Sequence, residues 1–252
     1  MLVEENFLKI ETICIVYWII VSLFYFLRLM NYNWYLYTSY GKLDSQPTEG
    51  EEENFLKKFK FLNFGISSKY HFTLMYFSGI IFNVMFNLIF SKKISILFIL
   101  YEIHLIRRFI ECLFLTKFSK KIIRFPLVLF GISFYLFTTL SFYKLDKNEH
   151  FNRFTILISI YFIFLNSLQT FHHFILKEMK KYSIPFGGLF KYVTCPHYFL
   201  EIMIYISFTF LINFRNLRDI LLILILNFFV IFNLTLNSIK THEVGKKKNF
   251  LT

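Results

Sequence analysis

The stretch Tyr182–Tyr205, YSIPFGGLFKYVTCPHYFLEIMIY, stops an apolar chain at Pro185, Gly187-Gly188 and Pro196. It then restarts a helix carrying His197, Tyr198, Glu201 and Tyr205. Pro196 suits the first turn of a helix, where its missing N–H is no loss, so Thr194 or Cys195 is expected at the cap. From there His197 and Glu201 are i, i+4, Tyr198 and Glu201 are i, i+3, and Tyr205 follows one turn beyond Glu201. One helix face thus presents an imidazole, a carboxylate and a phenol beside a helix N-terminus whose free N–H groups suit an anion. A carboxylate is the costliest of these groups to place in an apolar bundle, so Glu201 is the one least expected to be idle.

On both sides of this stretch the chain is a series of long apolar runs. They are Thr12–Leu29, Phe72–Phe90, Ile94–Thr116, Phe125–Tyr143, Phe154–Leu176, Tyr198–Ile212 and Ile220–Ile239. A soluble domain of 252 residues could not hide 37 Phe and 16 Tyr behind 17% charged residues. The expected fold is all-α: a multi-pass transmembrane helical bundle of about seven helices. Six helices is the alternative, because the third run is rich in charge and the sixth is short. No repeat or composition break divides the chain, so residues 1–252 read as a single transmembrane domain. A polar loop is expected at 31–71 and a basic tail at 240–252. The acidic start (Glu4, Glu5, Glu11) and a first run long enough to span argue against a cleaved leader.

The net charge of +12 does not point to nucleic acid, because Lys and Arg sit mostly in short loops between apolar runs. With seven spans, the loops that share a side with the Tyr182–Pro196 break hold more than twice as many Lys and Arg as the other side. That side is expected to be cytosolic, with the N-terminus lumenal and the C-terminus cytosolic. Cys14, Cys112 and Cys195 are too few and too scattered for a disulfide framework or a zinc motif.

Three further clusters carry polar chemistry. His104, Arg107 or Arg108, and Glu111 share a face of the third run. They read either as a self-neutralising ion pair or as a cationic wall for an anionic cofactor. Gln169, His172 and His173 close the fifth run; adjacent histidines point apart, so at most one is expected to face the bundle. Metal binding by these histidines with His197 and Glu201 lacks any His-rich repeat, and no metal is expected. Asn233, Asn237, Lys240 and Thr241 fall at helical spacing before His242-Glu243, and read equally as a basic juxtamembrane tail. Neither a dinucleotide-binding glycine fingerprint nor a Walker sequence is present, so a nucleotide site here is not of Rossmann or P-loop type.

Several stretches, in order, resemble the steroid 5α-reductase family and most closely its polyprenol reductase branch. They are Tyr40-Gly41-Lys42; His104-Leu105-Ile106-Arg107-Arg108-Phe109-Ile110-Glu111; Gln169 to Leu176 with His173; Ile184-Pro185 to Glu201; and Thr241-His242-Glu243. The resemblance implies a seven-helix reductase of the endoplasmic reticulum membrane that binds NADPH from the cytosolic side. Carried over by position, Arg108, His173, His197, Glu201 and His242 would bind the cofactor, and His197, Tyr198, Glu201 and His242 would be catalytic. The chain departs from the family at Val244-Gly245, where Trp-Tyr is expected, and reaches Thr252 without the family's final motif. Both departures bear on how tightly the cofactor is held. Leu105 stands where steroid-reducing members carry a substrate-binding tyrosine, which argues against a steroid carbonyl held the same way.

The implied activity is saturation of the α-isoprene double bond of polyprenal or polyprenol, a polyisoprenoid lipid, in dolichol synthesis for protein N-glycosylation. Hydride adds readily to a carbon–carbon double bond only when a conjugated carbonyl takes up the charge, which favours the aldehyde. Tyr198, His197 and His242 are then the candidate carbonyl donors, with Glu201 orienting the nicotinamide or a neighbouring donor. The alternatives are a reductase of another enone or enoyl lipid, or a non-enzymatic membrane paralogue. The sequence carries no signal for oligomeric state.

Overall fold

The computed structural model describes residues 2–30, 65–90, 94–118, 122–145, 152–179, 185–212, 214 and 216–249. Tyr40-Gly41-Lys42 and the acidic-then-basic part of the 31–71 loop lie outside the described residues.

Seven α-helices are described: α1 (Leu2–Met30), α2 (Ser68–Phe90), α3 (Ile96–Phe114), α4 (Phe125–Leu145), α5 (Arg153–Glu178), α6 (Pro196–Thr209) and α7 (Leu217–Asn249). Their starts are written in local chemistry. Ser95 Oγ accepts the Phe98 N–H ahead of α3. Asn152 and Thr155 exchange bonds in a capping box before α5. Asn216 Oδ1 accepts the Asp219 N–H at the start of α7. Pro196 opens α6, as its position predicts, but the Cys195 side chain makes no capping bond to the helix start and turns to Ser238 and Thr241 of α7, and Thr194 bonds to His242.

Five helices (α1, α2, α4, α5 and α7) are long and apolar enough to cross a membrane. The other two are the third and sixth runs. At 14 residues α6 is about 21 Å long, short of a hydrocarbon core of about 30 Å. Polar side chains inside the long helices bond to the carbonyl one turn back, as Thr138 does to Phe134, Ser141 to Phe137, Asn166 to Phe162 and Asn227 to Ile223. No lipid-facing partner is then needed.

The helices close into a ring in space: α1 packs on α4 and α7, α2 on α3 and α4, α5 on α3 and α6, and α6 on α7. Trp18, Tyr101, Phe162, Phe208 and Phe229 fill its middle, and Trp18 Nε1 donates to Ser141 Oγ at 3.0 Å. Outward faces such as Ile13, Val16, Ile20, Leu23 and Leu27 of α1 are apolar and suit lipid.

Three boundaries differ from the sequence reading. α1 begins at Leu2, so the acidic start is helical. The tail expected from residue 240 continues α7 to Asn249, since no breaker stands between Lys240 and Asn249 except Gly245. Within the loop expected at 31–71, Gly65–Ser67 is a strand, β1, paired antiparallel with β2 (Ile122–Arg124), and α2 has begun by Ser68. This short ribbon ties the start of α2 to the start of α4.

Candidate functional site

A network of ions and amides joins α3, α5 and α6. Glu111 on α3 takes both arginines: Arg107 Nη1 donates to its Oε1 at 2.5 Å and Arg108 Nη1 to its Oε2 at 2.6 Å. Thr170 Oγ1 donates to the same Oε1 at 2.6 Å. Arg107 then turns toward α5, donating from Nε to Asn166 Oδ1 at 2.8 Å and from Nη2 to Gln169 Oε1. The second carboxylate comes from α6. Glu201 Oε1 accepts from His104 Nε2 at 3.2 Å, and its Oε2 accepts from Gln169 Nε2 at 2.5 Å, with Arg108 Nε 3.8 Å away. Gln169 Nε2 also holds the His197 carbonyl at 2.8 Å, which pins the first turn of α6 to α5. Two guanidinium groups and two carboxylates thus balance in a buried place where an unpaired charge would be expensive.

Arg108 faces the other way from Arg107, into a cavity of about 230 Å³ lined by all seven helices. Its polar end is formed by Arg108, Gln169, His173, His197, Tyr198 and Glu201. Tyr25, Phe130, Phe134 and Phe229 make an aromatic wall on the far side, and Asn233, Asn237 and Thr241 form a polar stripe along α7. Arg108 Nη1 donates to His173 Nε2 at 2.8 Å, which places the remaining proton of a neutral His173 on Nδ1. The His197 and Tyr198 rings lie 4.2 Å apart, and His197 Nδ1 is buried with no hydrogen-bond partner. An unmet buried nitrogen on a cavity-lining residue leaves a hydrogen bond for a ligand or a water to complete.

The family model described as 3-oxo-5-alpha-steroid 4-dehydrogenase matches residues 115–250. The chain belongs to this family. Curated relatives of the same family are the polyprenal reductases of Xenopus laevis, Homo sapiens and Saccharomyces cerevisiae. The Xenopus protein is 28% identical over 62% of this chain and 54% of its own length. The human protein is 31% identical over 58% of this chain and 52% of its own length. The yeast protein is 30% identical over 67% of this chain and 66% of its own length. The chain spans about half the length of the Xenopus and human relatives.

Within this family member, the residues singled out by the sequence divide into those that meet and one that does not. Arg108, His173, His197, Tyr198, Glu201 and Tyr205 all line this cavity. His242 does not. It is exposed, and its Nδ1 lies 3.0 Å from Thr194 Oγ1. Along an unbroken α7, Asn233, Asn237 and Thr241 repeat at one turn and face inward, and the next residue is rotated by about 100°. His242 therefore tethers the segment before α6 instead of reaching the cavity. His172 and His173 are both buried but point apart. His173 faces the cavity, while His172 donates from Nδ1 to the Leu168 carbonyl and accepts the Leu189 N–H on Nε2 at 3.0 Å. The 3-10 turn Gly188–Lys191 packs over it.

That turn needs its glycines. Gly187 and Gly188 have φ of 123° and 51°, and a Cβ on Gly188 would stand 2.9 Å from His172 Nε2. Gly188→Ala is expected to lower stability by about 1–2 kcal/mol and to loosen the segment leading to α6. Thermal melting with protease sensitivity near Tyr192 checks this; an unchanged melt would mean the turn is not anchored on His172.

Sequence reasoning missed Tyr76, Asn166 and Thr170. Each is an unremarkable residue of an apolar helix in one dimension, and only packing brings it to Arg107, Arg108 or Glu111.

Proposed function

We propose that this chain is an NADPH-dependent reductase that saturates the α-isoprene double bond of polyprenal, on the route to dolichol and protein N-glycosylation. The observation that carries the reading is the cavity itself: ionic and imidazole groups at one end, an aromatic wall at the other, in a member of this family. A polyisoprenoid aldehyde has the same polarity, a carbonyl head on an apolar tail. The names of the relatives favour the aldehyde over the alcohol, as does the need for a conjugated carbonyl to take up charge.

The residues present fit a nicotinamide nucleotide. His197 Nδ1 offers an unmet hydrogen bond, and Arg108 and His173 stand beside it on the cavity wall. Bound there, the reduced nicotinamide supplies the hydride. Glu201 holds Gln169 and His104, and through Gln169 the His197 carbonyl, so the imidazole and the Tyr198 phenol start α6 in a fixed orientation. Buried apolar walls exclude water from the reacting carbonyl.

Leu105 is fully buried among core side chains and is absent from the cavity lining. A steroid enone held by a side chain at this position finds no donor, which favours the isoprenoid. We place the chain in the endoplasmic reticulum membrane with the mouth near His197 and the C-terminus cytosolic, from the excess of Lys and Arg on that side.

NADPH at about 100 times its dissociation constant is expected to stabilise the detergent-solubilised protein by about 2.7 kcal/mol. NADPH reactions offered polyprenal, polyprenol and a steroid enone in parallel are expected to convert the aldehyde. No thermal shift and no turnover of any of the three would sink the reading; conversion of polyprenol with no oxidising step would sink its substrate half.

A further inference from the structure

We propose that Tyr76 is the residue that polarises the substrate carbonyl and delivers the proton that completes the saturation. The inference rests on the functional reading above. Tyr76 comes from α2, is 6% exposed and lines the cavity. Its hydroxyl oxygen receives two bonds from one guanidinium, Arg108 Nε at 3.1 Å and Arg108 Nη2 at 3.0 Å. The same guanidinium lies 5.1 Å from the centre of the Tyr76 ring.

A phenol oxygen offers two lone pairs and one proton. Arg108 donates twice to this oxygen and the Tyr135 hydroxyl shares a further hydrogen bond with it, so the phenolic proton is the one hydrogen Tyr76 can pass on, to Tyr135 at rest or to a carbonyl that takes its place. Arg108 cannot swing away, because Glu111 and His173 hold its Nη1 from the other side. Negative charge gathering on the Tyr76 oxygen therefore meets a fixed cation, the arrangement that strengthens a donor as charge develops. The other candidates lack this. His242 is engaged with Thr194 outside the cavity, and among the described contacts the Tyr198 hydroxyl has no guanidinium on it. Tyr135, its ring 5.3 Å from that of Tyr76, flanks the same wall next to Phe134 and the aromatic end.

A hydride with its electron pair passes from the reduced nicotinamide nucleotide, which is thereby oxidised, to the β-carbon of the enal. The electron pair of the carbon–carbon π bond moves toward the carbonyl, giving an enolate whose oxygen the Tyr76 hydroxyl holds. The Tyr76 O–H bond then breaks and its proton bonds to the α-carbon of the enolate as the C=O re-forms, and the saturated aldehyde results. The tyrosinate left beside Arg108 regains its proton from water.

The test uses the full chain in detergent with NADPH and farnesal, a short isoprenoid enal, labelled with carbon-13 at the carbonyl. Tyr76→Phe is expected to lower kcat about 100-fold or more, to leave the NADPH-dependent thermal shift intact, and to return the infrared carbonyl band of bound farnesal toward its value in an apolar solvent. Near-wild-type turnover by Tyr76→Phe, or loss confined to Tyr198→Phe, overturns the proposal while the functional reading stands. No turnover and no NADPH shift in the wild-type protein overturns the reading itself. Should Tyr76→Phe fail to fold, 3-fluorotyrosine at position 76 keeps the shape and strengthens the donor. It must then lower the carbonyl band further, and an unmoved band refutes the role.

Discussion

Glu111→Ala is expected to destabilise the bundle more than any other single change in the network. Glu111 is 1% exposed and is the shared acceptor for Arg107 and Arg108, with Thr170 on the same oxygen as Arg107. Its removal leaves two guanidinium groups inside an apolar ring with Glu201 as the remaining carboxylate of the network, 3.8 Å from Arg108. Breaking a buried pair in this way costs about 3–5 kcal/mol, because the charge left behind cannot regain its hydration. For a chain of this size that corresponds to a fall of roughly 10 °C in the melting midpoint. Glu111→Gln keeps an acceptor for one arginine and should lose less. Glu102→Gln is the contrasting control: Glu102 pairs with the Asn83 side chain at 2.7 Å and lies outside the network, so a change of about 1 kcal/mol or less is expected. Equal melting shifts for positions 102 and 111 would contradict the assignment of Glu111 as the keystone.

Glu201→Gln is expected to separate activity from folding. Both carboxylate oxygens of Glu201 accept bonds, one from His104 Nε2 and the other from Gln169 Nε2. Glutamine keeps the shape but turns one of these positions into a donor. If the new amide nitrogen faces His104, that imidazole can shift its proton to Nδ1, where Asn166 Oδ1 lies 3.1 Å away, giving up only the 3.3 Å contact from Arg107 Nη2 to the same nitrogen. The network thus has a tautomeric escape and the fold survives. What is lost is the negative charge next to Arg108 and the firm hold on Gln169 and the start of α6. A fall in kcat of about 100-fold, the scale of losing one preorganised electrostatic contact, is expected, with a smaller change in KM for the aldehyde. An unchanged kcat would show that Glu201 is structural only, and a collapse of the melt would show that His104 cannot make the shift.

These two outcomes bear on how much of the site was legible in one dimension. The face His197–Glu201–Tyr205 follows from Pro196 and helical periodicity, and the structure puts all of it on the cavity wall. The pairing of Arg107 or Arg108 with Glu111 follows from i, i+3 and i, i+4 spacing, and both arginines make it. The second carboxylate of the network is Glu201, 93 positions beyond Arg108, a pairing that no helical spacing could indicate. His242 stood in a matching motif, but one residue of helical rotation takes it out of the cavity. Tyr76 had no signal at all, one tyrosine among 16.

The amino-acid order alone determined that the chain is an all-α membrane bundle, roughly where its apolar helices lie, and which side chains share a helix face. Those properties depend on neighbours within about one turn and on the length of apolar runs. Closure of the ring decided the rest: which arginine faces the cavity, which carboxylate neutralises it, and which phenol receives it. Such pairings are set by how distant helices pack, and no local period encodes that distance.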